Sequence, residues 1–121
     1  MKAGADGARI GAVGLREERV AKNEALFREV NERIKRMNEH LDTKDEAEFI
    51  CECGDADCTH PVSLTLTEYE EVRNRGTHFA VVPGHVAPDI ERVVASYPRF
   101  AVVEKTEAQA AGIATREDPR A

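Results

Sequence analysis

The sequence contains no tryptophan, and aromatic residues make up only 5% of its 121 positions. A chain of this length folds as one domain that buries roughly two thirds of the surface its unfolded form exposes. With so few large apolar side chains the hydrophobic core is thin, and small domains of this kind often depend on a bound metal for stability. The scarcity of aromatic residues therefore favours a structural metal site.

Long apolar segments are also lacking. The longest uninterrupted apolar run is residues 79–83, which is far short of the roughly 20 residues needed to cross a bilayer as a helix. No apolar run of signal-peptide length precedes the cysteines, and their odd number, three, leaves one unpaired in any disulfide scheme. We therefore expect a cytoplasmic protein without a membrane span.

Basic residues are scarce in one part of the chain. The formal net charge is −6, and it is unevenly placed: residues 14–42 carry seven Lys/Arg against seven Asp/Glu, whereas residues 43–105 carry six against twelve. Lys and Arg supply most of the nonspecific affinity for nucleic acids, because they neutralise phosphates. The acidic part of the chain therefore argues against DNA or RNA as the main partner and favours a protein partner.

Residues 14–42 have the period of a long amphipathic helical arm. Apolar side chains and one asparagine recur at alternating steps of three and four, which is a coiled-coil heptad pattern of about three repeats. The members of this seam are Val20, Asn23, Phe27, Val30, Ile34, Met37 and Leu41.

Two interpretations fit this seam: it packs on the rest of its own chain, or it pairs with another helix in a homodimer or on a partner protein. We favour pairing, because a polar hinge at residues 42–48 separates the arm from an acidic domain with few spare apolar residues. The residues before the arm, 1–13, are small or polar and show no periodicity, so we expect a disordered leader there.

The rest of the pattern predicts an α+β fold, with a small domain of short antiparallel strands and one helix over residues 43–105 and an alanine-rich tail over residues 106–121. A capping-box sequence predicts the helix of the domain, from Thr67 to near Gly76, with Tyr69 and Val72 facing inward. The expected strands are residues 49–50, 62–66, 79–82, and a hairpin of 90–95 with 99–105. A helix over residues 89–96 is the alternative to the first arm of that hairpin.

All three cysteines lie within eight residues, which is typical of a metal-binding knuckle. They are Cys51, Cys53 and Cys58, and the acidic residues among them are Glu52, Asp55 and Asp57. Two thiolates one residue apart can bind one soft cation when the backbone turns sharply behind them, and Gly54 permits such a turn. Cysteines buried as small apolar residues would have apolar neighbours, so this interpretation is weaker. Because zinc prefers thiolate and imidazole, we expect Zn²⁺ here and solvated carboxylates.

A tetrahedral zinc site needs a fourth ligand, and three histidines are candidates. His85 lies in a Pro-Gly turn after a strand, so it would link a second turn to the knuckle. His60 is closer in sequence, but four ligands within ten residues would be cramped, and Pro61 stiffens that end of the loop. His78 opens a strand. We favour His85, with His60 and then His78 as alternatives.

Five segments between residues 15 and 105 form a distinctive series. They are Asn23-Glu-Ala-Leu-Phe-Arg-Glu-Val-Asn-Glu-Arg-Ile, Phe-Ile-Cys-Glu-Cys-Gly with a cysteine five residues after the second, Leu-Thr-Leu-Thr-Glu-Tyr-Glu, Val-Pro-Gly-His, and Val-Val-Glu-Lys. The series resembles a group of short actinobacterial-type proteins with an N-terminal helix and a Cys-x-Cys-Gly zinc knuckle. The resemblance brings no known activity, but it implies that Cys51, Cys53, Cys58 and His85 belong to the pattern and that His60 is incidental.

These features together predict a cytoplasmic, zinc-binding protein–protein interaction module with a regulatory role, whose helical arm binds a partner or a second copy. The alternative is a thiol-based redox sensor that releases zinc when Cys51, Cys53 or Cys58 is oxidised. We do not expect an enzyme, because a zinc site with three thiolates is usually closed and a poor Lewis acid. The sequence also has no phosphate-cradling glycine loop and no nucleophile elbow.

Overall fold

The computed structural model of the chain describes residues 5–42, 44–58 and 60–120. It confirms the α+β class: a long N-terminal helix is followed by two small antiparallel sheets and two further helices. In chain order the elements are α1 (Ala5–Met37), β1 (Glu46–Ile50), β2 (Pro61–Thr65), α2 (Leu66–Arg73), β3 (His78–Val81), β4 (Glu91–Ser96), β5 (Ala101–Lys105) and α3 (Ala108–Arg116).

The two sheets share one core. β1 and β2 form an antiparallel hairpin, and β5 lies between β3 and β4 in the second sheet. The predicted hairpin of the last two strands is confirmed by the pairing of β4 with β5, so the helical alternative for residues 89–96 is wrong. Alternate side chains of the strands meet α2 in the interior, where Phe49, Leu64, Phe79 and Val103 are fully buried.

Helix α2 begins two residues earlier than the sequence predicts. Its N-cap is Thr65, not Thr67: the Thr65 hydroxyl accepts from the Glu68 backbone N–H at 3.0 Å, and the Glu68 carboxylate accepts from the Thr65 N–H at 2.8 Å. Both threonines precede a glutamate by three positions, so both match a capping box. A start at Leu66 buries that side chain, and it keeps Tyr69 in the core as predicted.

Two segments expected as a hinge and a tail contain regular secondary structure. β1 starts at Glu46, so the second half of the predicted hinge at 42–48 is strand. The predicted tail contains α3, whose Ile113 is buried against α1, and beyond α3 the guanidinium of Arg120 pairs with the carboxylate of Glu32 at 2.7 Å. The chain after residue 105 is therefore part of the packed structure.

Helix α1 packs on its own domain through a face that is largely polar. The buried residues of this face are Ala21, Glu24, Ala25, Arg28, Asn31 and Glu32. The Arg28 guanidinium donates to the carbonyls of Gly76 at 2.5 Å and Ala114 at 2.6 Å, and it lies 4.5 Å from the centroid of the Phe79 ring. Buried charges need specific partners, so these contacts determine how the helix is seated. The helix starts at Ala5, within the predicted leader, and residues 1–4 lie outside the described chain.

The predicted seam is mostly half-buried against the same chain and does not form an exposed apolar face. Six of its seven residues are partly covered by the same chain, and Met37 is 68% exposed. Ile34 and Leu41 pack against the main core, and Val20 packs against the smaller cluster between α1 and α3. Packing on the same chain therefore accounts for most of the seam, and binding of a partner through it stays a prediction.

Candidate metal centre

Two loops supply the four residues of the site. The first runs from β1 to β2 and carries the cysteines; it is closed by a hydrogen bond from the Cys51 N–H to the His60 carbonyl at 2.9 Å, which continues the β1–β2 pairing. The second follows β3 and turns back when the His85 N–H donates to the Val82 carbonyl at 2.9 Å. Because the Glu52 N–H donates to the Ala80 carbonyl at 2.9 Å, the two loops lie side by side.

The donor atoms have the spacing of a tetrahedral site. The sulfurs of Cys51 and Cys58 each lie 3.6 Å from Nδ1 of His85, and the donor atoms of these residues and Cys53 all lie within 4.8 Å of one another. Ligand bonds of about 2.3 Å to sulfur and 2.0–2.1 Å to nitrogen place tetrahedral S and N donors roughly 3.6 Å apart. All three cysteines are free rather than disulfide-bonded. The arrangement is therefore suited to hold one metal ion.

Of the three candidate histidines, the structure brings His85 to the cysteines. His60 is exposed, and its ring centroid lies 5.6 Å from that of His85, outside the cluster. His78 lies on β3, where its Nε2 is 3.3 Å from the carboxylate of Glu104. The fourth position of the cluster is therefore filled from the second loop, as the turn at Pro83-Gly84 indicated.

The surroundings of the cysteines disfavour thiolates that have no cation beside them. Burial raises the pKa of the Cys51 and Cys53 thiols, because a thiolate loses its hydration in the interior. The Val82 N–H acts in the opposite direction, since it donates to the Cys51 sulfur at 3.2 Å and so stabilises its charged form. A bound metal would compensate for the lost hydration of three thiolates, because metal ligands bind in the deprotonated form.

Glu52, expected to be solvated, is instead completely buried. One carboxylate oxygen accepts from the amide of Asn31 at 2.8 Å and the hydroxyl of Tyr69 at 2.9 Å, and the other accepts from the Ala80 N–H at 2.9 Å. Side chains alternate in an extended segment, so Cys51 and Cys53 face the site while Glu52 points into the protein. The prediction for Asp55 and Asp57 is confirmed, since both are exposed.

Asn31 is the residue of α1 that the sequence pattern missed. Its amide oxygen accepts from the Ile50 N–H at 2.9 Å, and its amide nitrogen donates to the Ile50 carbonyl at 2.8 Å as well as to Glu52. The side chain thus pairs with the edge of β1 as a neighbouring strand would. Asn31 is not one of the seam positions, so this link between α1 and the knuckle gave no signal in the heptad pattern.

Gly54 is where α1 comes closest to the knuckle. Its φ is +82°, and a Cβ atom there would lie 2.6 Å from the Val20 carbonyl oxygen and 2.7 Å from Cγ of Glu24. The Gly54 carbonyl also accepts from the Asn23 amide at 3.0 Å. The glycine is therefore required both for the turn, as predicted, and for the approach of the helix.

This close approach yields a matched pair of variants. Gly84 has a φ of +92°, but a Cβ there would meet none of the described atoms within 4 Å. Gly84→Ala should cost only the strain of the left-handed conformation, about 1–2 kcal/mol, whereas Gly54→Ala should cost roughly 1–3 kcal/mol more through overpacking against α1. Urea unfolding of both variants measures the difference, and equal losses would show that α1 moves aside freely.

An open groove runs beside the centre. Its volume is about 610 Å³, and it lies between the N-terminal half of α1, the knuckle and residues 84–88. Cys53 and His85 both line it, as do Arg16 and Arg19 of α1. The Arg16 guanidinium is paired with the Asp89 carboxylate at 2.8 Å. The groove thus gives solvent access to Cys53 and His85.

Comparison with protein families, curated proteins and solved structures finds no match to this chain. The resemblance to short actinobacterial-type proteins stays a prediction. What the molecule does has to be inferred from the four-residue cluster and its surroundings.

Proposed function

We propose that the protein is a cytoplasmic zinc-binding module with a regulatory role, in which the ion is structural and the folded domain binds another protein. The observation that carries the proposal is the cluster of three cysteine sulfurs and one histidine nitrogen, all within 4.8 Å of one another. Soft thiolate donors with an imidazole at tetrahedral spacing are the ligands typical of zinc.

A structural ion accounts for the site better than a catalytic one. Catalytic zinc usually has three protein ligands and keeps a fourth position for water or substrate, whereas this cluster offers four donors. The ligands also come from two loops, after β1 and after β3, that belong to different sheets. An ion shared between them would join the sheets and, through Glu52 and Asn31, the helix α1.

A protein partner is supported by charge and by exposed apolar side chains. Residues 43–105, with six basic and twelve acidic residues, are poorly suited to a polyanion. On α1, Met37 is 68% and Leu26 is 53% exposed, and both are positions that its own domain leaves uncovered. Among the described side chains of α1, these two are the large apolar ones left exposed for a partner or a second copy.

The cytoplasmic location is proposed from the cysteines. All three are free, and thiols stay reduced in the cytosol and able to bind metal. Within the described residues, no helix combines the length and the apolar character that spanning a membrane requires.

Purified full-length protein should contain about one zinc ion per chain, because the cluster has one set of tetrahedral donors. Elemental analysis of protein prepared without chelators measures this content, and light scattering on the same sample gives the mass of the particle. A metal content near zero would refute the zinc proposal. A monomer would leave a heterologous protein as the partner, whereas a dimer sensitive to Met37→Glu would identify a second copy.

A further inference from the structure

The three cysteines of the centre are not equally protected. Cys51 has no exposed surface and Cys58 is only 7% exposed, whereas Cys53 is half-buried. Cys53 is also the one cysteine that lines the groove of about 610 Å³. Cys53 is therefore the cysteine that a small reagent in the groove reaches most readily.

We infer that Cys53 is the site at which a hydroperoxide oxidises the centre, and that oxidation there releases the metal and loosens α1. This regulation rests on the proposed function, because it requires a zinc-loaded site. Reactivity of a cysteine toward peroxide follows its thiolate character and its exposure. Metal binding makes all three cysteines thiolates, so exposure is what separates them.

The reaction balances with the peroxide as the only added oxidant. The Cys53 thiolate attacks one oxygen of hydrogen peroxide, the O–O bond breaks, and hydroxide leaves, giving a sulfenic acid. A second cysteine thiolate then attacks the Cys53 sulfur, the S–O bond breaks, and a second hydroxide leaves. Two thiolates have lost two electrons to form a disulfide, the peroxide has become two hydroxide ions, which the buffer protonates to two waters, and the metal has lost two ligands.

Cys58 is the cysteine placed to complete this reaction. It lies with Cys53 on the loop between β1 and β2, within 4.8 Å of it. Cys51 is less free to move, because its N–H donates to the His60 carbonyl and its sulfur accepts from the Val82 N–H. Its side chain is also fully buried. A disulfide between Cys53 and Cys58 requires movement only within the loop.

The consequence for α1 follows from where the helix touches the knuckle. Gly54, next to Cys53, accepts from the Asn23 amide and lies in close contact with the backbone of Val20. A shift of Cys53 toward Cys58 moves Gly54 and so breaks the contact with this part of the helix. The second contact between α1 and the knuckle is the hydrogen bond from the Asn31 amide to the Glu52 carboxylate, and both of these residues are buried. Oxidation should therefore release the N-terminal part of α1 while the rest stays docked.

The first test is the order in which the cysteines react in zinc-loaded, full-length protein. Limiting iodoacetamide should alkylate Cys53 about tenfold faster than Cys51 or Cys58, because Cys53 is the least buried of the three and lines the groove. Trypsin leaves the three cysteines in one peptide, since no Lys or Arg lies between Lys44 and Arg73; cleavage after Glu52 and before Asp55 separates them for mass spectrometry. Equal rates, or faster reaction of either buried cysteine, would overturn the inference.

The second test follows zinc release by hydrogen peroxide with a chromogenic chelator. Cys53→His keeps a four-ligand set and should release zinc about tenfold more slowly than the wild type, whereas the matched Cys58→His retains the reactive thiolate and should not be protected. In the wild type, the first disulfide should join Cys53 to Cys58, and hydrogen exchange should rise in residues 16–24 before residues 28–37. A first disulfide that includes Cys51, or equal protection in both variants, would refute the inference. Absence of zinc from the untreated wild type would instead refute the proposed function, and this inference with it.

Discussion

His85→Ala should lose its zinc and at least about 3 kcal/mol of folding free energy, because a structural site contributes its binding energy directly to folding. In a domain of this size, a loss of this magnitude lowers the Tm by roughly 10 °C. His85 is the only contribution of the second loop to the cluster, so removing its ring leaves the ion with ligands from the first loop alone. Elemental analysis and thermal unfolding followed by circular dichroism measure both effects.

His60→Ala is the matched control. His60 is also a histidine beside the centre, its ring centroid is 5.6 Å from that of His85, and it is exposed. Its replacement should leave the zinc content unchanged and the stability within about 0.5 kcal/mol, as for other surface substitutions. A damaging His60→Ala with a harmless His85→Ala would show that a single loop supplies all four ligands.

Lys105→Met should destabilise the fold by about 3–5 kcal/mol, because it leaves buried carboxylates without their cation. Lys105 is fully buried at the end of β5, where its ammonium contacts the carboxylates of Glu24 from α1 and Glu91 from β4. Burial raises the pKa of Glu24 well above its ordinary value, while the ammonium of Lys105 acts to lower it. Without the lysine, Glu24 and Glu91 face each other in a buried site beside the Phe79 ring.

Urea unfolding at neutral pH tests this prediction against two comparison variants. Lys22→Met removes an exposed lysine that pairs with Glu18 one turn away, and it should cost no more than about 0.5 kcal/mol. Glu24→Leu combined with Lys105→Met should recover part of the lost folding free energy, because it removes one of the two buried carboxylates that have no cation beside them. A Lys105→Met protein as stable as Lys22→Met would show that the buried ion pairs contribute little to the seating of α1.

The knuckle was predictable because its information is local. Three cysteines within eight residues, with a glycine after the second, specify ligand chemistry and a turn without reference to the rest of the chain. His85 was found from a similar local signal, a Pro-Gly turn after a strand. The strands and α2 followed from alternation and a capping box, and the error of two residues at the start of α2 arose because two threonines meet the same rule.

The tail was misjudged because its role depends on distant partners. Alanine-rich segments carry little hydrophobic pattern, so residues 106–121 were expected only as a tail. Its Ala110 and Ile113 complete a buried cluster with Ala21 and Ile90. Small residues pack well only when another helix comes close, and that proximity is a property of the fold rather than of the segment.

The sequence by itself determined the α+β class, the cysteine ligands of the candidate metal centre and the turn that brings His85 to them. Tertiary structure alone decided that α1 is seated by a polar face, that Glu52 is buried, and that Lys105 joins two carboxylates in the interior. The physical reason is that a charged side chain is stable in the interior only beside its partner. Glu24 and Lys105 stand 81 positions apart, so nothing in either local sequence distinguishes them from solvated surface charges.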